Sequence, residues 1–216
     1  MASTSGDAVE TFAGSLGRRA VTDQGANAEA HPDDDAQLVE AARRGDRTSF
    51  GRLYDRYARM VHGILLAKVP LREVDDMVHD AFLQALRQLH TLRDVTRFGA
   101  WLAAITRNRA NDYHRQAVDE VELPESLSED QRTGTTAGGA HHQDEEATFL
   151  LAAIRELPET YREPLLLRLV EGMTGPEIAA RTGLTPGSVR VNLHRGMQQL
   201  REKLAGSSRA SPASSV

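Results

Sequence analysis

Apolar residues recur at three- and four-residue spacing in two separate blocks, residues 33–117 and 148–205, and nowhere alternate with polar ones as a half-buried strand requires. A chain patterned this way is all-α, with a four-helix N-terminal domain and a C-terminal domain ending in a helix-turn-helix. In the first block Gly45 and Pro70 punctuate the pattern. A short helix runs from Asp34 to Arg44. A second, Arg47 to Lys68, is capped by Asp46 and carries Phe50, Leu53, Tyr54, Tyr57, Val61, Ile64 and Leu65. A third, about Leu71 to Leu89, sets Met77, Val78, Ala81, Phe82, Ala85, Leu86 and Leu89 on one stripe. Its other face shows Asp76, His79, Asp80, Gln84 and Arg87. The fourth, about Thr96 to Gln116, buries Phe98, Trp101, Leu102 and Ile105, with Asn108 and Asp112 on the inner side. Arg107, Asn111, His114 and Arg115 fall away from that stripe.

Three further stretches lack apolar periodicity: a disordered acidic tail over 1–32, a flexible acidic linker over 118–147 and a loose tail over 206–216. Charge follows the same division. The formal net charge of −5 would count against nucleic acid if taken alone, but it conceals an alternation. Residues 1–41 carry −6, residues 42–118 carry +6, residues 119–147 carry −8 and residues 148–205 carry +2. The helical blocks are basic, and almost all their cations are arginine, which suits bidentate phosphate and guanine contacts. The absence of cysteine excludes a disulfide scaffold, a thiol nucleophile and cysteine-ligated zinc. No run approaches the roughly 18–20 apolar residues of a membrane span, and the N-terminus has neither a basic start nor an apolar stretch. A cytoplasmic protein with no secretory signal and no cofactor is expected.

The second block opens with a helix carrying Leu150, Leu151, Ile154 and Leu157, stopped before Pro158, followed by an apolar helix from Leu165 to Val170. Thr174 to Leu204 then reads as helix, tight turn and longer helix. Gly183 suits a left-handed turn residue and Leu184 fills the angle between the helices. Thr185 caps the second helix and Pro186 takes its first turn, where a missing N–H costs nothing. Val189, Leu193, Met197, Leu200 and Leu204 form the inner stripe. Ser188, Val191, His194, Arg195 and Gln198 face outward, flanked by Arg190 and Asn192. A recognition helix reads base edges with its N-terminal residues in the major groove, which is the position these occupy.

The order of these pieces resembles the extracytoplasmic-function group of bacterial RNA polymerase sigma factors, the compact type built from the second and fourth conserved regions. The matching stretches are Val74-Asp-Asp-Met-Val-His-Asp-Ala-Phe-Leu-Gln-Ala-Leu-Arg87, Phe98-Gly-Ala-Trp-Leu-Ala-Ala-Ile-Thr-Arg-Asn-Arg-Ala-Asn-Asp112 and Leu157-Pro-Glu-Thr-Tyr-Arg-Glu-Pro164. Val170-Glu-Gly-Met173 and Gly175-Pro-Glu-Ile-Ala179 through His194-Arg195 complete the pattern. The resemblance implies a non-enzymatic factor whose partners are core RNA polymerase, promoter DNA and an anti-sigma factor. It implies polymerase contacts at Asp76, His79, Asp80 and Arg87, and −10 contacts at Arg107, Asn111, His114 and Arg115. It implies −35 contacts at Ser188, Arg190, Val191, Asn192, His194 and Arg195. The segment His90 to Arg97 resembles the loop that receives a flipped −10 base, and the acidic linker one that threads through the polymerase. Gly175-Pro176 departs from the family, which there favours helix formers. A stand-alone helix-turn-helix regulator is the alternative. A third reading, a helical metal-dependent phosphohydrolase, requires His62, His79, Asp80 and Asp112 to converge.

Overall fold

The structure, a computed structural model, describes residues 32–121 and 141–209. Eight helices form these residues, and no strand is present among them. The first block holds α1 (Pro32–Arg43), α2 (Arg47–Leu66), α3 (Val74–Gln88) and α4 (Phe98–Val121). The second holds α5 (His141–Arg155), α6 (Glu159–Leu169), α7 (Gly175–Thr182) and α8 (Pro186–Arg209). The expected tails, and residues 122–140 of the expected linker, lie outside the described residues. Helix nevertheless enters that linker from both sides, at the end of α4 and the start of α5.

The local signals act as the residue types dictate. Asp46 caps α2, its carboxylate accepting from the Thr48 N–H at 2.9 Å and from the Ser49 hydroxyl at 2.6 Å. α2 is the central element: α1, α3 and α4 all pack on it, and Leu53, Met60, Val61, Ile64 and Leu65 are fully buried along it. Tyr57 packs edge-on against Phe98 of α4, with ring centroids 5.2 Å apart, and donates its hydroxyl to Asp35 at 2.5 Å. Asp35 and Asp34 in turn pair with Arg56, which ties α1 to α2. Burial pushes the Tyr57 phenol well above its ordinary range, so it remains a donor to Asp35 at all ordinary pH.

Three expectations require correction. Leu86 is 45% exposed and Tyr54 37% exposed, although both lie on predicted apolar stripes. Tyr54 rests on Phe82 with centroids 4.4 Å apart. Asn108 is exposed rather than inward. The buried face of α4 is wider than its large residues indicate, because Gly99, Ala103, Thr106 and Ala110 are buried beside Phe98 and Leu102. Burial therefore turns toward the second block and away from Asn108. Finally, α6 begins at Glu159 rather than Leu165 and runs through Pro164. Proline's fixed φ is helical, and the one carbonyl it leaves unbonded belongs to exposed Thr160, where water can serve it.

The two blocks share one continuous apolar core. Where they meet, small residues set the distance. A Cβ on Gly63 would lie 2.7 Å from Leu167 Cδ2, and one on Gly99 2.8 Å from the Arg181 carbonyl oxygen. Polar groups complete the seam. The Glu171 carboxylate, from a residue only 5% exposed, meets His62 Nδ1 at 2.6 Å and Arg59 Nε at 3.7 Å. Arg155 of α5 donates from Nε to the Leu66 carbonyl at 3.1 Å and from Nη2 to the Val69 carbonyl at 2.6 Å. It thereby satisfies the end of α2 from the other block.

Inside the second block, α6 and α8 cross at Gly196, where a Cβ would stand 2.9 Å from Leu165 Cδ1 and 3.1 Å from Tyr161 Cβ. Gly51, exposed on α2, has nothing within 4 Å of its would-be Cβ. Gly196→Ala should therefore destabilise the protein by about 1–3 kcal/mol through overpacking. Gly51→Ala should stabilise it by about 0.5–1 kcal/mol through helix propensity. Urea denaturation of the two variants checks both signs.

Candidate nucleic-acid interface

The helix-turn-helix is assembled by three local devices. Thr174 caps α7 in a capping box: its hydroxyl accepts from the Glu177 N–H, and the Glu177 carboxylate accepts from the Thr174 N–H at 2.7 Å. Those Thr174 bonds hold the Glu177 carboxyl below the usual carboxylate range. Pro176 sits in the first turn, where it needs no hydrogen bond. Gly183 ends α7 with φ 76°, a left-handed turn that glycine adopts without strain. Thr185 then accepts from the Ser188 N–H at 3.1 Å and starts α8.

These devices aim α8. Val189 and Leu200 are fully buried, and Leu193, Met197 and Leu204 pack partly buried against the core. The opposite face is open: Ser188, Arg190, Val191, His194, Arg195 and Gln198 are exposed, with Asn192 half-buried beside them. Two of these side chains are already engaged: the Ser188 hydroxyl is bonded to Thr185 at 2.8 Å, and Gln198 Nε2 donates to Glu202 at 3.0 Å. A helix that buries one stripe and shows polar groups along the other, entered through a tight turn, fits a major groove.

The four residues expected to contact the −10 strand do not form one open patch. Asn111 is exposed. Arg115 pairs with Asp112 one turn earlier, and His114 Nε2 lies 2.7 Å from the Lys68 carbonyl. Arg107 is committed across the seam. Its Nε and Nη2 hold the Glu163 carboxylate at 3.0 and 2.6 Å, and Nη2 also reaches the Thr182 carbonyl at 3.4 Å. On α3, Asp76, His79 and Arg87 are exposed as expected, with Leu83 37% exposed among them. Asp80 on the same face pairs with Arg109 of α4.

The loop joining α3 and α4 is held by α1. Arg43 donates from Nε to the Leu89 carbonyl at 3.2 Å and from Nη2 to the Leu92 carbonyl. Asp94 closes the turn, accepting from the Thr96 hydroxyl at 2.6 Å and its N–H at 3.1 Å, and the hydroxyl bond foremost holds its carboxyl below the usual range. Behind this turn lies a pocket of about 300 Å³ lined by Leu92, Arg93, Asp94, Arg97, Ala100 and Trp101. Trp101 thus has two faces: it is partly buried against Phe98, centroids 5.9 Å apart, and forms a wall of the pocket. A rigid turn, two arginines and an indole suit a base taken out of its stack.

The four residues of the phosphohydrolase reading do not converge. His62 is bound to Glu171, Asp80 to Arg109 and Asp112 to Arg115, while His79 is exposed. Among the described residues no three His, Asp or Glu are placed to hold a metal, and no helix is long and apolar enough to cross a membrane. Sequence reasoning missed Asp35, Glu171, Arg155 and Arg181. Their signals were polar residues in or beside apolar helices, whose burial depends on contacts made across the chain.

Residues 53–119 match the family described as Sigma-70 region 2, and residues 150–200 match Sigma-70, region 4. The chain is 32% identical over 169 residues to RNA polymerase sigma factor CarQ of Myxococcus xanthus, covering 77% of this chain and 95% of CarQ. It is 30% identical to the ECF RNA polymerase sigma-E factor of Escherichia coli, covering 79% of this chain and 94% of that protein. Its fold is similar to that of CnrH, solved in complex with the cytosolic domain of CnrY. The TM-score is 0.54 at 26% identity, over 81% of this chain and 99% of CnrH. With its two helical blocks matching regions 2 and 4 in order, and relatives aligned along nearly their whole length, the chain belongs to the extracytoplasmic-function group of RNA polymerase sigma factors and serves transcription initiation.

Proposed function

We propose that this sigma factor divides its work among four surfaces and performs no chemistry of its own, the polymerase supplying catalysis in the cytoplasm. Asp76, His79, Asp80 and Arg87 on α3 dock core RNA polymerase, with Leu83 as an apolar contact among them. The pocket behind Asp94 receives a −10 base, and Arg107, Asn111, His114 and Arg115 of α4 follow the −10 strand. The exposed face of α8, from Ser188 to Arg195, reads the −35 element. An anti-sigma factor is a further partner, supported by the likeness to CnrH, which was solved with CnrY. The observation that carries the reading is the pairing of an exposed, correctly capped recognition helix with a separate block matching region 2.

Promoter-dependent run-off transcription by core polymerase, with and without the protein, tests the whole assignment. A stand-alone regulator would bind DNA and leave the polymerase unchanged. Arg190→Ala or Arg195→Ala should weaken binding to a −35 duplex by about 1–3 kcal/mol if that residue reads a base, measured by fluorescence anisotropy. Unchanged affinity in both variants would move the reading surface off α8. The double variant Asp76→Lys, Asp80→Lys should lose core polymerase in co-purification and keep its −35 affinity. Retained polymerase would exclude α3 as the docking face.

A further inference from the structure

We propose that the groove between α7 and α8 is a docking site for an N-terminal segment of the same chain, residues 9–16, which seats there as a two-turn helix and covers Arg190. The consequence for DNA rests on the assignment of α8 to the −35 element; the docking does not. The groove has a volume of about 780 Å³, within the roughly 300–1,000 Å³ of ligand-sized clefts. Pro176, Ala179 and Ala180 form one wall and Val189 and Leu193 the other, with Leu184 where the helices meet. Pro176 and Ala180 are exposed and Leu184 and Leu193 half-buried, so an apolar surface stands open to water. Arg190 is the single charged residue of the lining.

Helices dock in apolar grooves through anchors spaced i, i+3, i+4 and i+7. Residues 1–31 lie outside the described structure, and their sequence contains one such set: Val9, Phe12, Ala13 and Leu16. Two turns are too few to mark a helical block by periodicity, and too few to hold a helix without a partner. Residues 1–17 carry Asp7 and Glu10 and no basic side chain. Glu10 stands about 100° from Val9 around a helix, at the flank of the apolar face. A carboxylate in that position complements the guanidinium of Arg190 at the edge of the groove.

The chain also enters α1 beside this groove. Asp35 accepts from the Tyr57 hydroxyl at 2.5 Å, and that hydroxyl stands 3.2 Å from where a Cβ on Gly99 would lie. The same Gly99 position is 2.8 Å from the carbonyl of Arg181, the residue after the groove-lining Ala180. Pro32, where α1 begins, is one turn before Asp35. Sixteen residues separate Leu16 from Pro32 and span up to about 50 Å when extended, which is ample reach. At the other terminus, residues 210–216 offer only Pro212 and Val216 as apolar side chains larger than alanine, too little to fill the groove.

Methyl NMR of the full-length protein tests the docking. Phe12→Ser with Leu16→Ser should move the methyl signals of Leu184, Val189 and Leu193, because the Phe12 ring no longer lies against them. Those of Leu53 and Ile64, fully buried in the first block, should stay in place. In an Ala180→Glu background, which sets a carboxylate in the groove wall, the same tail substitutions should move nothing further. Tail substitutions that leave all three groove methyls unmoved refute the docking and leave the groove to a separate protein. Shifts that appear only as the protein is concentrated refute it too, and give the groove to a second copy. The tail variant should also bind a −35 duplex about threefold more tightly, if about a third of the unsubstituted molecules have the segment undocked. Unchanged affinity in a variant that does shift the methyls overturns the covering of Arg190. Failure of both proteins to bind the duplex contradicts the assignment of α8 alone, since the methyl shifts are scored without DNA.

Discussion

Glu171 stands just beyond α6, 5% exposed, and its carboxylate faces His62 and Arg59 of the other block. A carboxylate removed from water is tolerated only where cations or donors replace its hydration. Those groups occupy successive turns of α2, so the end of α6 can lie in one place only, over the middle of that helix. Gly63 provides the clearance there, with Leu167 filling the space. Everything C-terminal follows from this placement. α7 is brought against α4, where Gly99 admits the Arg181 carbonyl, and α8 crosses α6 at Gly196. The direction in which the outer face of α8 points is thus set by a buried charge and a few missing methyl groups.

The arginines divide into two populations with different physical duties. Arg43, Arg56, Arg107, Arg155 and Arg181 bond carbonyls or carboxylates of the protein itself, mostly where helices end or blocks meet. The planar guanidinium of Arg43, Arg56, Arg107 or Arg155 joins two or more acceptors, which a lysine could not do with the same geometry, while Arg181 holds the Arg56 carbonyl alone. Arg155 is buried deeply enough that desolvation lowers its pKa, and its compensation is a pair of carbonyls at the end of α2. Arg190 and Arg195 remain exposed on α8, and Arg93 and Arg97 line the loop pocket.

Much of the fold was legible because its signals are local. Asp46, Thr185 and Gly183 act through bonds to residues within four positions, and the α8 stripe needs only a period of 3.6. The open face of α8 followed directly. The face of α4 did not. Its large apolar residues implied a stripe that turned Asn108 inward, whereas Gly99 meets the Arg181 carbonyl of the second block, Ala103 is buried as well, and Asn108 is left exposed. Small residues carry little hydrophobic signal, so a face buried by close approach is invisible to a pattern built on large ones. Arg107 was likewise legible as a polar residue on an outer face, but its partner Glu163 is brought near only by tertiary packing.

The sequence by itself determined an all-helical chain, the caps and turn of the helix-turn-helix, the outward groups of α8 and the alternation of basic blocks with acidic stretches. These properties depend on neighbouring residues and on helical periodicity. Tertiary structure alone decided which cations remain exposed, where Glu171 is buried and how close the two blocks lie. The net charge of −5 contains none of that, because a charge acts through distance and desolvation, and both are established only when remote helices meet.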